Sequence, residues 1–281
     1  MKRLGIITNS KRDKDFTVTR QLATWLAERG AASVFPGAFI DISDITKLEP
    51  AVFAELSAVI VLGGDGTILH AAQFAAPHGV PILGINMGTV GYITDVEGTD
   101  AYLALERLLT GDFEIEERIM LEARLLNEPP GNTPPFIALN EVYAARVLPQ
   151  QMQVEVEICV NGEFIANYRG DGVLVSTPTG STAYNLSAGG PLLKPELGAL
   201  VITPICPHSL SHRPIVISGD DIISLRLADG NTPDGILVAD GATVANLDHT
   251  SIVDIRRSQY VTRMIKTNTL SFYDRLRMKI R

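Results

Sequence analysis

The chain has 281 residues, a formal net charge of −8 and two cysteines, Cys159 and Cys206. This length suffices for one large domain or two smaller ones, and the acidic balance excludes a broad basic surface for nucleic acid or an anionic membrane. The cysteines lack the paired spacing of a zinc or iron–sulfur site, so we expect two buried small side chains in a reducing compartment. No apolar stretch is long enough to cross a bilayer, and the short run near the start is not typical of a signal peptide. We therefore expect a soluble, cytoplasmic protein.

The first part of the chain alternates short apolar runs with helical patterns. Apolar runs at 4–8, 32–35, 58–62 and 80–85 predict buried strands, and residues at helical spacing separate them. Asp100 is placed to cap the last helix of this part, and Gly111 to end it. Strands that alternate with helices predict a parallel, Rossmann-like α/β sheet, in which ligands gather at the carboxyl ends of the strands.

A glycine-rich motif, Gly63-Gly64-Asp65-Gly66-Thr67, follows one of these strands and opens the next helix. Its glycines allow positive φ and close approach of a ligand, and the amides of a helix start favour a phosphate. A carboxylate beside that phosphate suits a base or a magnesium ligand. The alternative is a tight turn with a capping Asp. The motif lacks the lysine of a Walker A loop and the third glycine of a dinucleotide fingerprint. His70, one turn later, either reaches the phosphate or lies on the surface.

The loop 86–92 follows the next predicted strand in the same way. It therefore lines the same crevice as Asp65 if the sheet is parallel. The alternative is a glycine-rich loop that binds no ligand.

After Glu117 the pattern changes from helical spacing to alternation. This predicts a mainly antiparallel second domain, with a hairpin at Asn161-Gly162 because both turn positions need positive φ. From Asn268 onwards, an amphipathic helix that packs on the first domain is predicted by Leu270, Tyr273, Leu276 and Ile280. We expect an α/β domain at 1–117, completed by 257–281, and a β-rich domain at 118–256. Further strands are predicted at 173–176, 200–204, 215–218, 222–227, 236–239 and 251–255.

The segment 171–184 runs from a buried strand into a loop that is rich in hydroxyl groups. A helix follows, which Ser181 or Thr182 is placed to cap. Hydroxyls, amides and one aromatic ring suit a ligand that is polar and flat, such as a nucleotide. The alternative is an elaborate helix cap with a proline turn.

Two further clusters of polar residues stand out. Asn140 and Glu141 interrupt an apolar strand, so one of them turns into the core or a cleft unless the strand is an exposed edge. The loop 206–214 carries two histidines and an arginine, but its residues do not form a usual zinc set, and we expect it to buttress the site. Asp240 ends a late strand, as Asp65 ends an early one.

Several of these stretches together resemble the NAD kinases of the bacterial type. They are 63–67, 86–92, 140–141, 171–184 with 187–191, and 207–214. The first motif is shared with diacylglycerol and sphingosine kinases and, more loosely, with phosphofructokinases. The hydroxyl-rich loop 177–184 and the loop around His208 are more specific to NAD kinases.

The resemblance implies phosphorylation of the 2'-hydroxyl on the adenosine ribose of NAD, with ATP as donor and in some members polyphosphate. It also implies a two-domain fold, a divalent cation such as Mg²⁺ and a homodimer or homotetramer. Since the acid comes from the first domain and most NAD contacts from the second, we expect the site to lie between domains. The metal ligands stay unassigned.

Site residues are carried over by position. Asp65 would accept the proton of the ribose hydroxyl, and Gly66 would allow close approach. His70 stands where members commonly carry Arg or Lys, and a neutral imidazole attracts phosphate less. The resemblance implies NAD contacts at Asp65, Gly66, His70, Asn140, Glu141, Arg169, Asp171, Thr182, Ala183, Tyr184, Ser187 and Ala242, and the phosphate loop comprises Gly63, Gly64, Gly66 and Thr67.

Two other functions remain open at this point. A lipid or sugar kinase could share the Asp65 motif, but a lipid kinase favours an apolar groove or a basic membrane face, which the loop 177–184 does not offer. A non-catalytic NAD(P)-binding sensor could keep the pocket, although it would have no need of Asp65.

Overall fold

The structure is a computed structural model that describes residues 2–35, 38–88, 91–94, 96–126, 134–147, 153–209, 211–228, 234–267 and 271–279. Its helices are α1 (Thr17–Glu28), α2 (Ala51–Ala54), α3 (Asp65–Ala75), α4 (Ala101–Thr110), α5 (Tyr184–Ser187) and α6 (Phe272–Lys279). Its strands are β1 (Arg3–Thr8), β2 (Ala32–Ser33), β3 (Ile40–Asp41), β4 (Ala58–Gly63), β5 (Ile82–Asn86), β6 (Val96–Glu97), β7 (Glu114–Leu125), β8 (Phe136–Ala138), β9 (Glu141–Arg146), β10 (Val154–Val160), β11 (Glu163–Gly170), β12 (Gly172–Ser176), β13 (Ala199–Ile205), β14 (Ile215–Ser218), β15 (Ile223–Leu227), β16 (Gly235–Ala239), β17 (Ala242–Leu247) and β18 (Ile252–Lys266).

The chain forms two compact units. The first comprises Met1–Arg118 and Tyr260–Arg281, and the second comprises Ile119–Gln259. No helix within the described ranges has both the length and the apolarity needed to cross a membrane.

The first unit contains a parallel sheet, as its alternating pattern predicts. Strands β2, β1, β4 and β5 are neighbours in that order and all run parallel, and Met264 of β18 pairs with Ile82 of β5. Every residue of β4 is buried, because Val, Ile and Leu side chains face apolar layers on both sides of the sheet. The sheet core includes Leu4, Ile6, Ile60, Leu62, Leu83 and Ile85, covered by Leu22, Leu26, Leu105 and Leu108 of α1 and α4.

The ends of α4 correct one capping prediction and confirm another. Asp100 occupies the N-cap position, but its side chain makes no capping hydrogen bond, so the prediction of a side-chain cap is wrong. Gly111 ends the helix in the left-handed region at φ +82°, which a glycine adopts without a steric cost.

The second unit contains antiparallel β-structure. One sheet has the order β14-β13-β12-β9-β16-β17, and a second set pairs β11, β10, β15 and the 252–255 part of β18. At the predicted hairpin between β10 and β11, Asn161 and Gly162 have φ values of +52° and +81°, which confirms a turn with both positions in the left-handed region. The α/β fold followed by a β-rich fold is the predicted fold class.

Two expectations about side-chain burial are wrong. Cys159 is half-buried and Cys206 is exposed, because each lies at or beyond the end of a strand rather than within its buried stretch. In α6, Tyr273 is 61% exposed and the buried residue is Arg275, so the predicted apolar face does not describe this helix. Residues 89, 90, 210, 268–270 and 280, on which parts of the predicted loops and tail fall, lie outside the described residues.

Candidate active site

Asp65 begins α3 directly after β4, at the carboxyl edge of the parallel sheet. Its carboxylate accepts backbone N–H groups from Tyr92 at 2.7 Å and from Ile93 and Thr94 at 3.2 Å each. The loop after β5 therefore wraps around Asp65, as the prediction that loop 86–92 lines the same crevice requires. Three backbone donors hold the carboxylate in one orientation and offset its charge.

Gly91 makes this wrapping possible. A Cβ at this position would overlap Asp65 Oδ1, so the backbone passes the carboxylate closely only because glycine has no side chain. Oδ2 accepts one bond from the described residues, the Tyr92 N–H, while the Ile93 and Thr94 donors converge on Oδ1. A carboxylate oxygen has two lone pairs, so Oδ2 keeps capacity for a hydroxyl donor. Burial, followed by the charge of Asp65, raises the pKa of the Tyr92 phenol.

The glycines of the motif serve packing and access rather than unusual backbone angles. Gly63, Gly64 and Gly66 are not among the described residues with positive φ, so the motif does not use the left-handed region that glycine allows. A Cβ at Gly63 would overlap the Thr67 hydroxyl, whereas a Cβ at Gly66 meets no atom within 4 Å. The Thr67 hydroxyl in turn accepts a bond from Asn9 Nδ2 at 3.2 Å, which joins the motif to the end of β1. Gly63 is thus required by the fold, and Gly66 leaves open space at the start of α3.

Substitution by alanine separates these two roles. Gly63→Ala should lower the free energy of unfolding by about 1–3 kcal/mol, because Thr67 and β4 must shift to admit the methyl group. Gly66→Ala should leave it unchanged or raise it slightly, since alanine favours a helix. Urea unfolding of both variants measures the difference. Equal stabilities would contradict the assignment of Gly63 to packing.

His70 lies half-buried on α3, with its ring 5.7 Å from that of Phe74. Burial lowers the pKa of His70, which favours the neutral imidazole. An uncharged ring beside an aromatic neighbour offers a phosphate less attraction than a cationic side chain would.

In the second unit, Asn140 and Glu141 lie at the start of β9, and each is only 6% exposed. Strand β9 pairs with β12 on one side and β16 on the other, which excludes the exposed-edge interpretation. The Asp240 carboxylate accepts the N–H groups of Leu139 at 2.7 Å, Asn140 at 2.8 Å and Glu141 at 3.3 Å. Asp240 therefore fixes the backbone that carries the two buried polar side chains.

The loop after β12 holds the same backbone from its carbonyl side. Thr177 donates its hydroxyl to Leu139 O at 2.6 Å and its N–H to Asn140 O at 2.9 Å. A Cβ at Gly180 would overlap the Asn140 carbonyl oxygen, so this loop approaches Asn140 closely only through glycine. Donors and acceptors of the turn before β9 are thus satisfied by Asp240 and Thr177.

In the described part of the chain, the backbone of that turn is fully hydrogen-bonded, but two of its side-chain oxygen atoms are not. Asn140 Oδ1 and Glu141 Oε2 are buried and have no hydrogen-bond partner among the described residues. Burial, and then the charge of Asp240, raises the pKa of Glu141 to about 8, although a Tyr184 backbone bond opposes the shift. Burial raises the pKa of Asp240 to about 6. Buried polar atoms without partners are rare, and a bound ligand is one explanation for them.

In the hydroxyl-rich loop 177–184, the prediction that Ser181 or Thr182 caps the next helix is wrong. Residues 180–182 form a 3₁₀ turn, and α5 begins at Tyr184 with Ala183 at its N-cap position. Ser181 is fully buried, donates to Pro178 O at 2.6 Å and accepts the Leu193 N–H at 3.0 Å. Neither Ser181 nor Thr182 caps α5, because this loop hydrogen bonds within itself and to residue 193.

An aromatic pair stands beside Glu141. The ring of Tyr184 lies edge-on to that of Tyr143, with centroids 5.3 Å apart, and Tyr184 is 38% exposed. Burial, together with nearby ionisable groups that include Asp171 and Glu141, raises the pKa of Tyr184. The structure therefore brings Asn140, Glu141 and Tyr184 together, with Asp171 close enough to act on Tyr184.

Most of the remaining predicted NAD contacts are exposed side chains. Asp171 accepts from Arg146 Nε at 2.7 Å, whereas Arg169 is exposed on β11. Ser187 and Ala242 are exposed at the end of α5 and the start of β17. In the loop 206–214, His208 donates its N–H to Arg169 O at 2.8 Å, and the described residues contain no group of three or more metal-ligating side chains. The His208 bond joins this loop to the backbone of Arg169, one of the predicted NAD contacts.

Sequence reasoning noted one position that shapes these sites without assigning its role, and it missed another. The carboxylate of Asp240 holds three amides of a turn about 100 residues away, and its strand-end position was the only signal for it. Arg275, buried in α6, carries no motif, and an apolar-stripe pattern cannot identify a buried cation.

Comparison with known proteins finds relatives that align with the whole length of the chain. Residues 4–113 match the family described as ATP-NAD kinase N-terminal domain, and residues 139–267 match the ATP-NAD kinase C-terminal domain. The chain is 38% identical over 283 residues to the NAD kinase of Caldanaerobacter subterraneus, covering 100% of this chain and 99% of that protein. It is also 38% identical over 284 residues to the NAD kinase of Symbiobacterium thermophilum, with the same coverage.

Solved structures show the same fold. Yeast NADH kinase in complex with NADH superposes with a TM-score of 0.86 at 21% identity, covering 100% of this chain and 87% of the yeast chain. An NAD kinase from Archaeoglobus fulgidus in complex with ATP gives a TM-score of 0.77 at 24% identity, covering 99% and 98% of the two chains. With both family domains matched and relatives aligned from end to end, the chain belongs to the NAD kinase family.

Proposed function

We propose that this protein transfers the γ-phosphate of ATP to the 2'-hydroxyl of the adenosine ribose of NAD and so forms NADP. The observation that carries the proposal is Asp65, an acid held by three amides at the start of a glycine-flanked helix, in a chain of this family. A ribose hydroxyl is a poor nucleophile, and a base within hydrogen-bond reach raises its reactivity by about 10²–10⁴. In the reaction the ribose oxygen bonds to the γ-phosphorus, the bond to the ADP oxygen breaks, and Asp65 accepts the hydroxyl proton.

The second unit binds the dinucleotide in this proposal. Asn140 Oδ1 and Glu141 Oε2 are buried acceptors without described partners, which suits the hydroxyl or amino donors of a nucleoside. Tyr184, which is 38% exposed, offers an aromatic ring beside them. We propose that Asp171, Thr182, Ala183, Ser187, Arg169 and Ala242 frame the rest of the dinucleotide, and that Gly63, Gly64, Gly66, Thr67 and His70 lie along the phosphates.

The site suits a divalent cation that is held mainly by the phosphates of the substrate. The described residues contain no cluster of three or more candidate ligands, but Mg²⁺ is commonly held by substrate phosphates and one or two carboxylates. We propose that the donor phosphates would hold the cation together with the carboxylate of Asp65. The cation, when bound, would offset the charge of the transferred phosphate.

The donor range and the oligomeric state are also proposals. We propose ATP as donor, with polyphosphate to be compared in the same assay. We propose a homodimer or homotetramer, supported by Phe164 and Ile165 of β11, which are 58% and 40% exposed on a strand that pairs only with β10 among those described.

The experiment is formation of NADP by the purified protein from ATP, Mg²⁺ and NAD, followed with an NADP-specific dehydrogenase. NADP formation supports the proposal. NAD binding without product supports a sensor, and absence of both supports a kinase for a lipid or a sugar. Polyphosphate replaces ATP in a parallel reaction.

Asn140→Ala tests the NAD pocket. The change removes an acceptor that has no partner in the described protein, so we expect unchanged thermal stability and a KM for NAD raised about tenfold, as for loss of one hydrogen bond to a buried group. Asn167→Ala, on the exposed part of β11, is the matched control. A wild-type KM in Asn140→Ala would remove this residue from the NAD site.

A further inference from the structure

The C-terminal helix α6 carries a buried arginine that contacts the loop around Asp65. Arg275 is 5% exposed, and its Nη1 donates to the carbonyl oxygens of Tyr92 and Thr94 at 3.4 Å each. These two residues also supply N–H groups to the Asp65 carboxylate. One face of the loop thus holds the acid while the other is held by Arg275.

A second contact joins α6 to the same loop. The Lys279 ammonium lies 5.2 Å from the centroid of the Tyr92 ring, within the range of a cation–π interaction. Burial lowers the pKa of Arg275, while the charge of Asp65 opposes that shift. A guanidinium stays charged under these conditions, so its positive charge lies close to the negative charge of Asp65.

Burying a guanidinium carries a desolvation penalty that a purely structural helix contact could avoid with an apolar side chain. At this position the charge compensates the carboxylate, and Nη1 bridges the carbonyls of Tyr92 and Thr94, to which an apolar side chain could not donate. The Tyr92 carbonyl belongs to the same peptide group as the Ile93 N–H, so the guanidinium holds directly one of the three amides that face Asp65. It holds the same loop a second time at the Thr94 carbonyl.

We propose that Arg275 is a positioning residue that orients the loop 91–94, and through it the carboxylate of Asp65, for proton transfer. The inference rests on the proposed role of Asp65. Removal of Arg275 lets the loop relax and turns the acid away from the substrate hydroxyl, and a displacement of about 1 Å at a reacting group costs up to about 10² in rate. Substrate binding does not depend on this contact in the proposal.

The test is Arg275→Gln, with Arg277→Gln as the matched control. Arg277 lies on the same helix, its side chain is 78% exposed, and it pairs with Asp274. We expect Arg275→Gln to lower kcat at least tenfold with both KM values unchanged and the protein folded by circular dichroism. Arg277→Gln keeps the wild-type kcat. Arg275→Lys keeps the positive charge but not the planar guanidinium group, and it gives an intermediate kcat.

Amide hydrogen exchange tests the same contact without an activity assay. Exchange at residues 92–94 should be faster in Arg275→Gln than in the wild type and unchanged in Arg277→Gln. Wild-type exchange and wild-type kcat in Arg275→Gln would overturn the inference, and so would a loss of activity that follows the unfolded fraction alone. Absence of NADP formation by the wild type would instead overturn the proposed function, since the exchange result does not depend on it.

Discussion

Asp65→Asn abolishes most turnover while NAD still binds. We expect kcat to fall by about 10²–10⁴, because the amide cannot accept the proton of the ribose hydroxyl. The change keeps the size of the side chain and one of its two acceptor oxygens. It therefore isolates proton transfer better than alanine, which would leave three amides of that loop without an acceptor.

The surroundings of Asp65 add an expectation about stability. Three backbone N–H groups point at its carboxylate, and an Asn side chain offers one acceptor and one donor in place of two acceptors. One donor then faces another, which should lower the free energy of unfolding by about 1–3 kcal/mol. Activity must therefore be measured well below the unfolding temperature of the variant.

The measurement combines steady-state kinetics with calorimetric titration of NAD into the variant. Asp112→Asn is the control, since the Asp112 side chain is 78% exposed in the same unit and lies far along the chain from the motif. Full turnover in Asp65→Asn would refute its role as the proton acceptor. Loss of NAD binding together with turnover would assign Asp65 to binding.

Asp65 shows what sequence reasoning can reach. A buried run of β-branched residues and leucine fixes where a parallel strand ends, and strand ends of parallel sheets face ligands, so both Asp65 and the loop 86–92 were placed at one edge. Both positions could be predicted because they depend only on residues close to them in the sequence. The Gly63 contact with Thr67, however, depends on how the following helix turns over the strand, and periodicity does not carry that information.

Long-range polar contacts were beyond the same reasoning. Asp240 binds the turn 139–141, and Arg275 binds the loop at Tyr92, across about 100 and about 180 residues of chain. Such pairs are determined by sheet order and by the docking of a terminal helix, neither of which leaves a periodic signal. Ser181 illustrates the reverse error, because a residue that commonly caps helices instead bonds within its loop and to Leu193.

Glu141→Gln should remove the part of the pH dependence of stability that Glu141 causes in the protein without ligand. Burial and the charge of Asp240 raise the pKa of Glu141 from an ordinary value of 4.5 to about 8. Between these two values the folded protein binds a proton that the unfolded chain has lost. The free energy of unfolding of the wild type therefore falls as pH rises from about 5 to 8, by an amount on the order of 4 kcal/mol for this group.

Glutamine resembles the neutral acid in shape and cannot ionise, so its variant lacks this term. We expect similar stabilities for the two proteins at pH 5 and a clearly more stable Glu141→Gln at pH 8, measured by urea unfolding at both values. Asp240, whose pKa is raised to about 6 by burial, remains in both proteins. Glu163→Gln, at an exposed hairpin position, should follow the wild type at each pH. Parallel pH curves for wild type and Glu141→Gln would show that Glu141 ionises normally. A carboxylate that is buried without a compensating charge must lower the free energy of unfolding when it ionises, and such an effect would separate the two curves.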